Sequence, residues 1–575
     1  MALKHFTLPQ IRRRAVPSVP AWMDMPPLLA RILAARGVSS VKELSLGLAD
    51  LPHPDTFTAL VDGVQLLLDA RAAHRRICVV GDYDADGATA TAVMVRGLSL
   101  LGFDHVSFLV PDRFTYGYGL SPAIVELAAE QCAPDLIITV DNGIASIDGV
   151  AAANARGIEV LITDHHLPGA QLPAAAGIIN PRLPNSGFDA ENLAGVGVAF
   201  YLLMGLQAAL REQNFKPSAS VSSLLDLVAL GTVADVVVLD GANRILVEQG
   251  LRRLRAGKGS PGVSALLRVA GRDPARVVAA DMGFAAGPRL NAAGRLADMT
   301  LGIQCLLADS AAEADLLAEQ LDSINRERRQ IEQGMRDAAA TEVTRLQAMA
   351  SVPAGVCING DDWHEGVVGI LASRIKDALY RPVIAFAPAQ RAGELKGSGR
   401  SIPGVHLRDV LDAVATANPG LLNKFGGHAM AAGLTLERHQ LPVFREAFAE
   451  AVSAQLSPAL MEKCVETDGP LTDADISLHN AEMLNHRFPW GQGFPAPCFD
   501  GDFEVLSHRV VGERHLKLTL GLPDTRGVVD GIFFNAPVAD LPRQMSRVRG
   551  VYRLEVNEFR GQRQPQLLFD YLQPL

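Results

Sequence analysis

Three short apolar runs, each ending on an acidic motif, constrain this chain more than any other feature. RRICVV leads into GDYDADG (Gly81 to Gly87), LIITV (Leu136 to Val140) into DNG, and IEVLIT (Ile158 to Thr163) into DHH, with helix-like segments such as SPAIVELAAEQ between them. Alternating strands and helices favour a parallel sheet covered on both faces. In such sheets ligands gather beyond the carboxyl ends of the strands. All three acidic motifs fall at that edge.

GDYDADG also looks like the start of a calcium-binding loop. That reading fails at the twelfth position counted from Asp82, where the loop needs a bidentate glutamate and the chain has Val93. The small and apolar stretch that follows, ATATAVMVRGLSLLG, reads instead as a buried helix. The carboxylates thus sit between a strand and a helix.

The donors available at the strand ends are Asp82, Asp84, Asp141, Asp164, His165 and His166, with Asp235 further on in GTVADVV. Asp82 and Asp84 alternate, so an extended backbone sends both side chains to one side. Asp86, close to the helix start, reads as a cap or a support for the ligands. Carboxylates with one or two imidazoles and no thiolate suit Mg²⁺ or Mn²⁺ better than structural zinc. Two such ions, roughly 3.5–4 Å apart, could activate water and neutralise charge on a phosphoryl group. Crowded carboxylates repel one another, so the cluster makes sense only with metal in it.

A chain of 575 residues suggests three or four domains at roughly 150 residues each. The segments divide as an N-terminal cap (1–60), an α/β catalytic domain with a parallel sheet (61–309), one long connecting helix (310–350), a smaller α/β domain (351–456) and a C-terminal β-rich domain (457–575). The helix is expected because 310–350 has no proline and only one glycine. In the last segment FEVLSHRVV, HLKLTLGL, GVVDGIFF, VYRLEVNEF and PQLLFDYL read as five short strands of a small barrel. Arg509, Arg514, His515, Lys517, Phe533 and Phe534 could give that barrel charge and stacking along a groove.

The net charge of −10 argues against coating nucleic acid by bulk electrostatics, but bound divalent ions would reverse its local sign. Six cysteines, at 78, 132, 305, 357, 464 and 498, have no CxxC spacing and suggest neither a zinc site nor a disulfide framework. No uninterrupted apolar run reaches membrane-spanning length, and the first twenty residues lack a signal-peptide core, so cytoplasm is the expected location. RAGKGS (Arg255 to Ser260) lacks the spacing of a nucleotide loop and implies no ATP.

GDYDADG, VDNG, TDHH and the aspartate of GTVADVV match, in order, the motifs of the DHH phosphoesterases. With GFAAGPRLNAAGRL, WHEGVVGI, KGSGRS and GGHAMAAG, the chain resembles the single-stranded-DNA-specific exonuclease branch of that family over nearly its whole length. The resemblance implies a DHH catalytic domain, a DHHA1 substrate-binding domain and an oligonucleotide-binding (OB) barrel. It implies that Asp82, Asp84, Asp141, His165 and Asp235 bind two Mg²⁺ or Mn²⁺ ions. His166 would sit beside the scissile phosphate, and Asp164 would orient the histidines. Where some members carry a histidine before GDYDADG this chain has Val80, and the nucleic acid could supply that ligand.

By the same resemblance, Ser398 and Arg400 in KGSGRS recognise a terminal 5′ phosphate, with glycines that let backbone N–H groups approach an anion. Arg113 and Arg289 match phosphate-contacting positions, and His428 in GGHAMAAG would donate to a strand phosphate. The implied activity is 5′ to 3′ hydrolysis of single-stranded DNA to mononucleotides. The implied setting is recombination and mismatch repair, with single-strand-binding protein and a repair helicase as partners. No oligomer interface is evident, so a monomer is expected. Two other readings stand beside it: a DHH phosphoesterase for short oligonucleotides, and a nucleic-acid-binding relative without catalysis.

Overall fold

The computed structural model describes residues 8–575 except 19–23, 113–114, 117–118, 185, 350–351, 513, 524, 526, 538–541 and 543–544. It divides into two compact units, Arg13–Ile324 with Thr467–Leu575, and Leu8–Arg12 with Asn325–Glu466.

In the first unit β1 (Ile77–Gly81), β2 (Val106–Leu109), β3 (Leu136–Val140), β4 (Glu159–Thr163) and β5 (Gly177–Ile179) form an all-parallel sheet in the order β2-β1-β3-β4-β5. Residues along each strand alternate between two cores, as the two-residue period requires. Val79, Ile138 and Leu161 join the large core on one face, while Cys78, Val80, Ile137, Val160 and Ile162 join a smaller one on the other. On the large face lie α1 (Ala85–Leu100), α4 (Gly195–Glu212) and α5 (Leu225–Ala234); on the other lie α2 (Pro122–Gln131) and α3 (Ile147–Ala155). The small residues of ATATA let α1 sink almost completely, with Ala85 to Met94 all buried.

Downstream, α6 (Gly287–Leu296) is followed by α7 (Ala311–Ala348), the long helix expected from composition. Its first turns bury Ala314, Ala318 and Leu321 in the large core. The division between the two units falls within this helix.

The second unit contains a five-stranded mixed sheet. β6 (Val356–Asn359), β7 (Val383–Pro388), β8 (Glu394–Arg400), β9 (Lys424–Gly427) and β10 (Ala431–Glu437) lie in the order β9-β10-β8-β7-β6, with only β6 and β7 parallel. α8 (Val368–Leu379), α9 (Leu407–Ala417) and α10 (Leu441–Gln455) complete it, and in its core Phe444 stacks on Phe448 and meets Phe386 edge to face.

The C-terminal strands β11 (Phe499–Val511), β12 (His515–Gly521), β13 (Val528–Phe533), β14 (Arg547–Phe559) and β15 (Gln562–Pro574) close into a barrel, order β11-β12-β13-β15-β14. This barrel shares the first unit's apolar core. The Arg36 guanidinium is held by Asp468 at 2.8 Å and lies over Trp490, while Arg244 lies over Phe494. Arg276 also pairs with Glu558 on β14.

Candidate active site

The register of the parallel sheet builds the site. Gly81 pairs with Val140 and Val140 with Thr163, so the next residues, Asp82, Asp141 and Asp164, leave three neighbouring strands side by side. Asp141 adopts a left-handed conformation with φ 62°, which an aspartate tolerates better than most residues. α4 presses against it so closely that a Cβ at Gly195 would stand 2.6 Å from Asp141 Cβ. A Cβ at Gly87 would likewise meet the Asp82 carbonyl at 2.5 Å, so only glycine lets α1 start this close to the strand end.

Asp84 is the cap of α1: its Oδ1 accepts from Asp86 N at 2.9 Å and Gly87 N at 3.0 Å. Asp86, expected just ahead of the helix, instead lies inside its first turn and is fully buried. Its two oxygens accept from Gly195 N at 2.7 Å and Val196 N at 3.0 Å, which fastens the start of α4 to the start of α1. Asp164 accepts from Ile144 N at one oxygen and, at the other, from His165 N, His166 N and His166 Nδ1, the last at 2.7 Å. With Nδ1 so occupied, His166 has Nε2 as its remaining nitrogen. Asp235 closes the site from the end of α5.

Three overlapping sets of donor atoms result, each within 4.8 Å of one another: Asp82, Asp84 and Asp141; Asp141, His165 and His166; and Asp86, His165 and Asp235. Asp141 belongs to two of them, the place a carboxylate takes when it bridges two ions. The buried His165 Nε2 lies 3.1 Å from Asp141 Oδ1 and 3.6 Å from Asp235 Oδ2, yet makes no hydrogen bond among the described residues. An imidazole nitrogen without a hydrogen bond, set within 3.6 Å of two carboxylates, is the arrangement of ligands around a cation, so the donor set fits a divalent ion.

The electrostatics agree. Burial, with the charges of Asp235 and Asp84, raises the Asp86 carboxyl well above its ordinary range, and burial with four neighbouring aspartates does the same to Asp141. Burial and Asp84 push Asp235 up to about 7. Burial and the neighbouring His166 lower His165 to about 3, which keeps its ring neutral. In the Asp164–His166 pair, burial is the largest single influence and opposes both charges, but the mutual hydrogen bond and charge attraction, with backbone donors to Asp164 and nearby aspartates around His166, together outweigh it, lowering the aspartate and raising the histidine.

Ser398 and Arg400 lie on β8 in the second unit. Arg400 donates to Ser398 Oγ at 3.1 Å and to the Gly399 carbonyl at 2.8 Å, and burial lowers its pKa. No carboxylate pairs with it among the described residues, and a half-buried cation without a counter-ion favours an anion joining it. His428 is exposed in the turn between β9 and β10. GGHAMAAG is therefore a β-hairpin. Arg113 lies outside the described residues.

Arg289 is buried, ion-paired with Asp322 at 2.7 Å, and donates to the Ala285 carbonyl at 2.6 Å, so its guanidinium fastens α7 to the turn before α6. Of the barrel candidates, Phe533 packs against the core and Lys517 pairs with Asp530, whereas Phe534, Arg509 and Arg514 are exposed. Sequence reasoning missed three asparagines that brace the site. Asn142 Nδ2 donates to the carbonyls of Val80 and Val140, Asn180 Nδ2 to that of His166, and Asn291 Oδ1 accepts from Ala85 N. Asn142 and Asn291 lie inside motifs already singled out, so position was the available signal.

Fold and residue set together define a DHH-type phosphoesterase. The family models agree: DHH family, N-terminal domain, matches residues 76–232, the DHHA1 domain 348–454, and the RecJ OB domain 467–571. The single-stranded-DNA-specific exonuclease RecJ of Salmonella typhimurium is 50% identical, over 98% of this chain and 99% of the relative. The crystal structure of RecJ from Thermus thermophilus in complex with Mn²⁺ is 30% identical with a TM-score of 0.79, covering 98% of this chain and 80% of that one; the Mg²⁺ complex is 28% identical with a TM-score of 0.74, covering 98% and 78%. This chain belongs to the RecJ family of single-stranded-DNA-specific exonucleases.

Proposed function

We propose that the protein is a metal-dependent exonuclease that hydrolyses single-stranded DNA from the 5′ end to mononucleotides, acting in recombination and mismatch repair. The observation that carries this is the convergence of Asp82, Asp84, Asp141, His165 and Asp235 at the strand ends, with His166 held beside them by Asp164. Two Mg²⁺ or Mn²⁺ ions on the five ligands would supply Lewis acidity and charge neutralisation for phosphodiester hydrolysis.

The chain's own residues do the rest. Asp82, Asp84, Asp141, the neutral His165 ring and Asp235 would hold the ions, with Asp141 shared between two of the donor sets. Asp86 is spent on the start of α4 and keeps the geometry. Asp164 holds the proton of His166 on Nδ1 and aims Nε2 at the scissile phosphate. Arg400, half-buried and without a carboxylate partner among the described residues, and Ser398 take the terminal 5′ phosphate, which sets polarity; His428 and Arg113 hold phosphates further along the strand. The barrel adds strand affinity through Arg509, Arg514 and Phe534. The domains of this reading are the cap (1–60), DHH (61–309), helix (310–350), DHHA1 (351–456) and OB (457–575).

Among the described residues no helix is long and apolar enough to cross a membrane. A cytoplasmic monomer working with single-strand-binding protein and a repair helicase fits this role. End-labelled oligonucleotides, single- and double-stranded, with and without a 5′ phosphate, test the activity. Mononucleotides should appear from the 5′ end of single strands, with Mg²⁺ or Mn²⁺ required. Asp82→Ala and Asp84→Ala should abolish them. Full activity after exhaustive chelation, or release of the 3′ nucleotide first, would overturn the assignment.

A further inference from the structure

Phe284 is 83% exposed, more than any other large apolar side chain among the described residues. It does not sit on a loose loop. It lies on a π-helical turn, Met282–Ala286, directly before α6, and Met282, Ala285 and Ala286 on the same turn are buried. The Arg289 guanidinium bonds to the Ala285 carbonyl, and Asp281 at the turn's start pairs with Arg272 at 3.1 Å. π turns are rare and recur at functional sites. Here one presents an aromatic ring to solvent from a rigid base.

The position of that base is the second observation. A Cβ at Gly283 would stand 3.2 Å from Val233 Cγ1, and one at Gly287 3.2 Å from Ala234 Cβ, so the turn rests on the two residues that precede Asp235. Immediately after Asp235, Val236 is 63% exposed at φ 65°, a conformation in which a β-branched residue is strained. Two exposed apolar residues thus lie close to a carboxylate of the acidic site along the chain or through packing: Val236 follows Asp235 directly, and the turn that carries Phe284 rests on the two residues before it.

We propose that Phe284, on the turn that rests against Val233 and Ala234, is a stacking surface for one unpaired nucleobase of the strand entering the acidic site. The inference rests on the exonuclease reading above and adds a residue that selects for substrate form. Every base has a π face, so stacking on an aromatic ring holds DNA without reading its sequence. In a duplex both faces of an internal base are covered by its neighbours, so the ring is satisfied only by a base already unstacked.

The test uses the full-length protein and 5′-phosphorylated single strands in which one abasic residue is moved through the first eight positions, read as single-turnover kcat/KM. The wild type should lose about ten-fold at one abasic position. Phe284→Ala should lose the same factor on the intact strand and nothing further from the abasic residue there, while Phe284→Trp should behave as wild type and Phe284→Leu as the alanine variant. Unchanged cleavage of the intact strand by Phe284→Ala, or an undiminished abasic loss in it, would overturn the proposal. Absence of wild-type cleavage on the intact strand would instead defeat the exonuclease reading. Melting temperatures equal to wild type exclude misfolding, as expected for an exposed side chain; if the alanine variant does not fold, the tryptophan–leucine contrast decides.

Discussion

Stripping divalent ions from this protein should reverse the usual dependence of stability on pH. In the metal-free fold, burial and Asp84 hold Asp235 at about 7, against an ordinary 3.8. Between those values the folded chain keeps a proton that the unfolded chain has released. Stability therefore falls as pH rises, by about 1.4 kcal/mol per pH unit for one such group. From pH 5 to pH 7 Asp235 alone contributes about 3 kcal/mol, and Asp86 and Asp141 are displaced in the same direction. At roughly 1–2 °C per kcal/mol for a unit this large, the midpoint should drop about 3–6 °C. The assay is thermal unfolding at pH 5, 6, 7 and 8, in chelator and in Mn²⁺, for wild type and Asp235→Asn. The asparagine variant should show a shallower slope in chelator, and Mn²⁺ should flatten or invert the slope of the wild type, because the ion replaces the protons. A metal-free midpoint that is level or rising between pH 5 and 7, or an equal slope in Asp235→Asn, would refute the electrostatic account of the site.

Three further expectations follow from particular contacts. Asp164→Asn removes the charge that holds His166 Nδ1 and should lower single-turnover cleavage about 10–100-fold with little change in melting temperature. Arg289→Met should cost about 3–5 kcal/mol in chemical denaturation by leaving Asp322 buried without its cation. Arg289→Met with Asp322→Leu should recover most of that loss, whereas a phosphate-binding arginine would not respond to a change at Asp322. Arg400→Ala and Ser398→Ala should abolish the preference for 5′-phosphorylated over 5′-hydroxyl strands, measured as a ratio of rates, while leaving the first unit's metal affinity unchanged in calorimetry.

Much of this protein could be read before any coordinates, because its signals are local. A strand of alternating core residues that ends on aspartate announces both a parallel sheet and the edge where ligands meet, and the proline-free run after 310 announces a helix, observed as Ala311–Ala348. Of the barrel strands, β12 carries the same period-two pattern without a break. Tertiary structure decided what depends on partners distant in the chain. Asp84 and Asp86 are two residues apart in one acidic motif, yet one caps its own helix and the other binds the start of α4 more than a hundred residues away. Arg289 and Arg400 are both arginines in glycine-bearing motifs, but only Arg289 meets a buried carboxylate, Asp322. Whether the barrel has a core of its own or shares one was equally beyond local pattern, since the contacts of Arg36 with Asp468 and Arg244 with Phe494 join segments hundreds of residues apart. Residue types and their spacing determine which groups can ligate, cap or pair; the folded neighbourhood decides which of these each does, because the partners that hydrogen-bond or ion-pair with a carboxylate or guanidinium fix where its remaining lone pairs or N–H groups point.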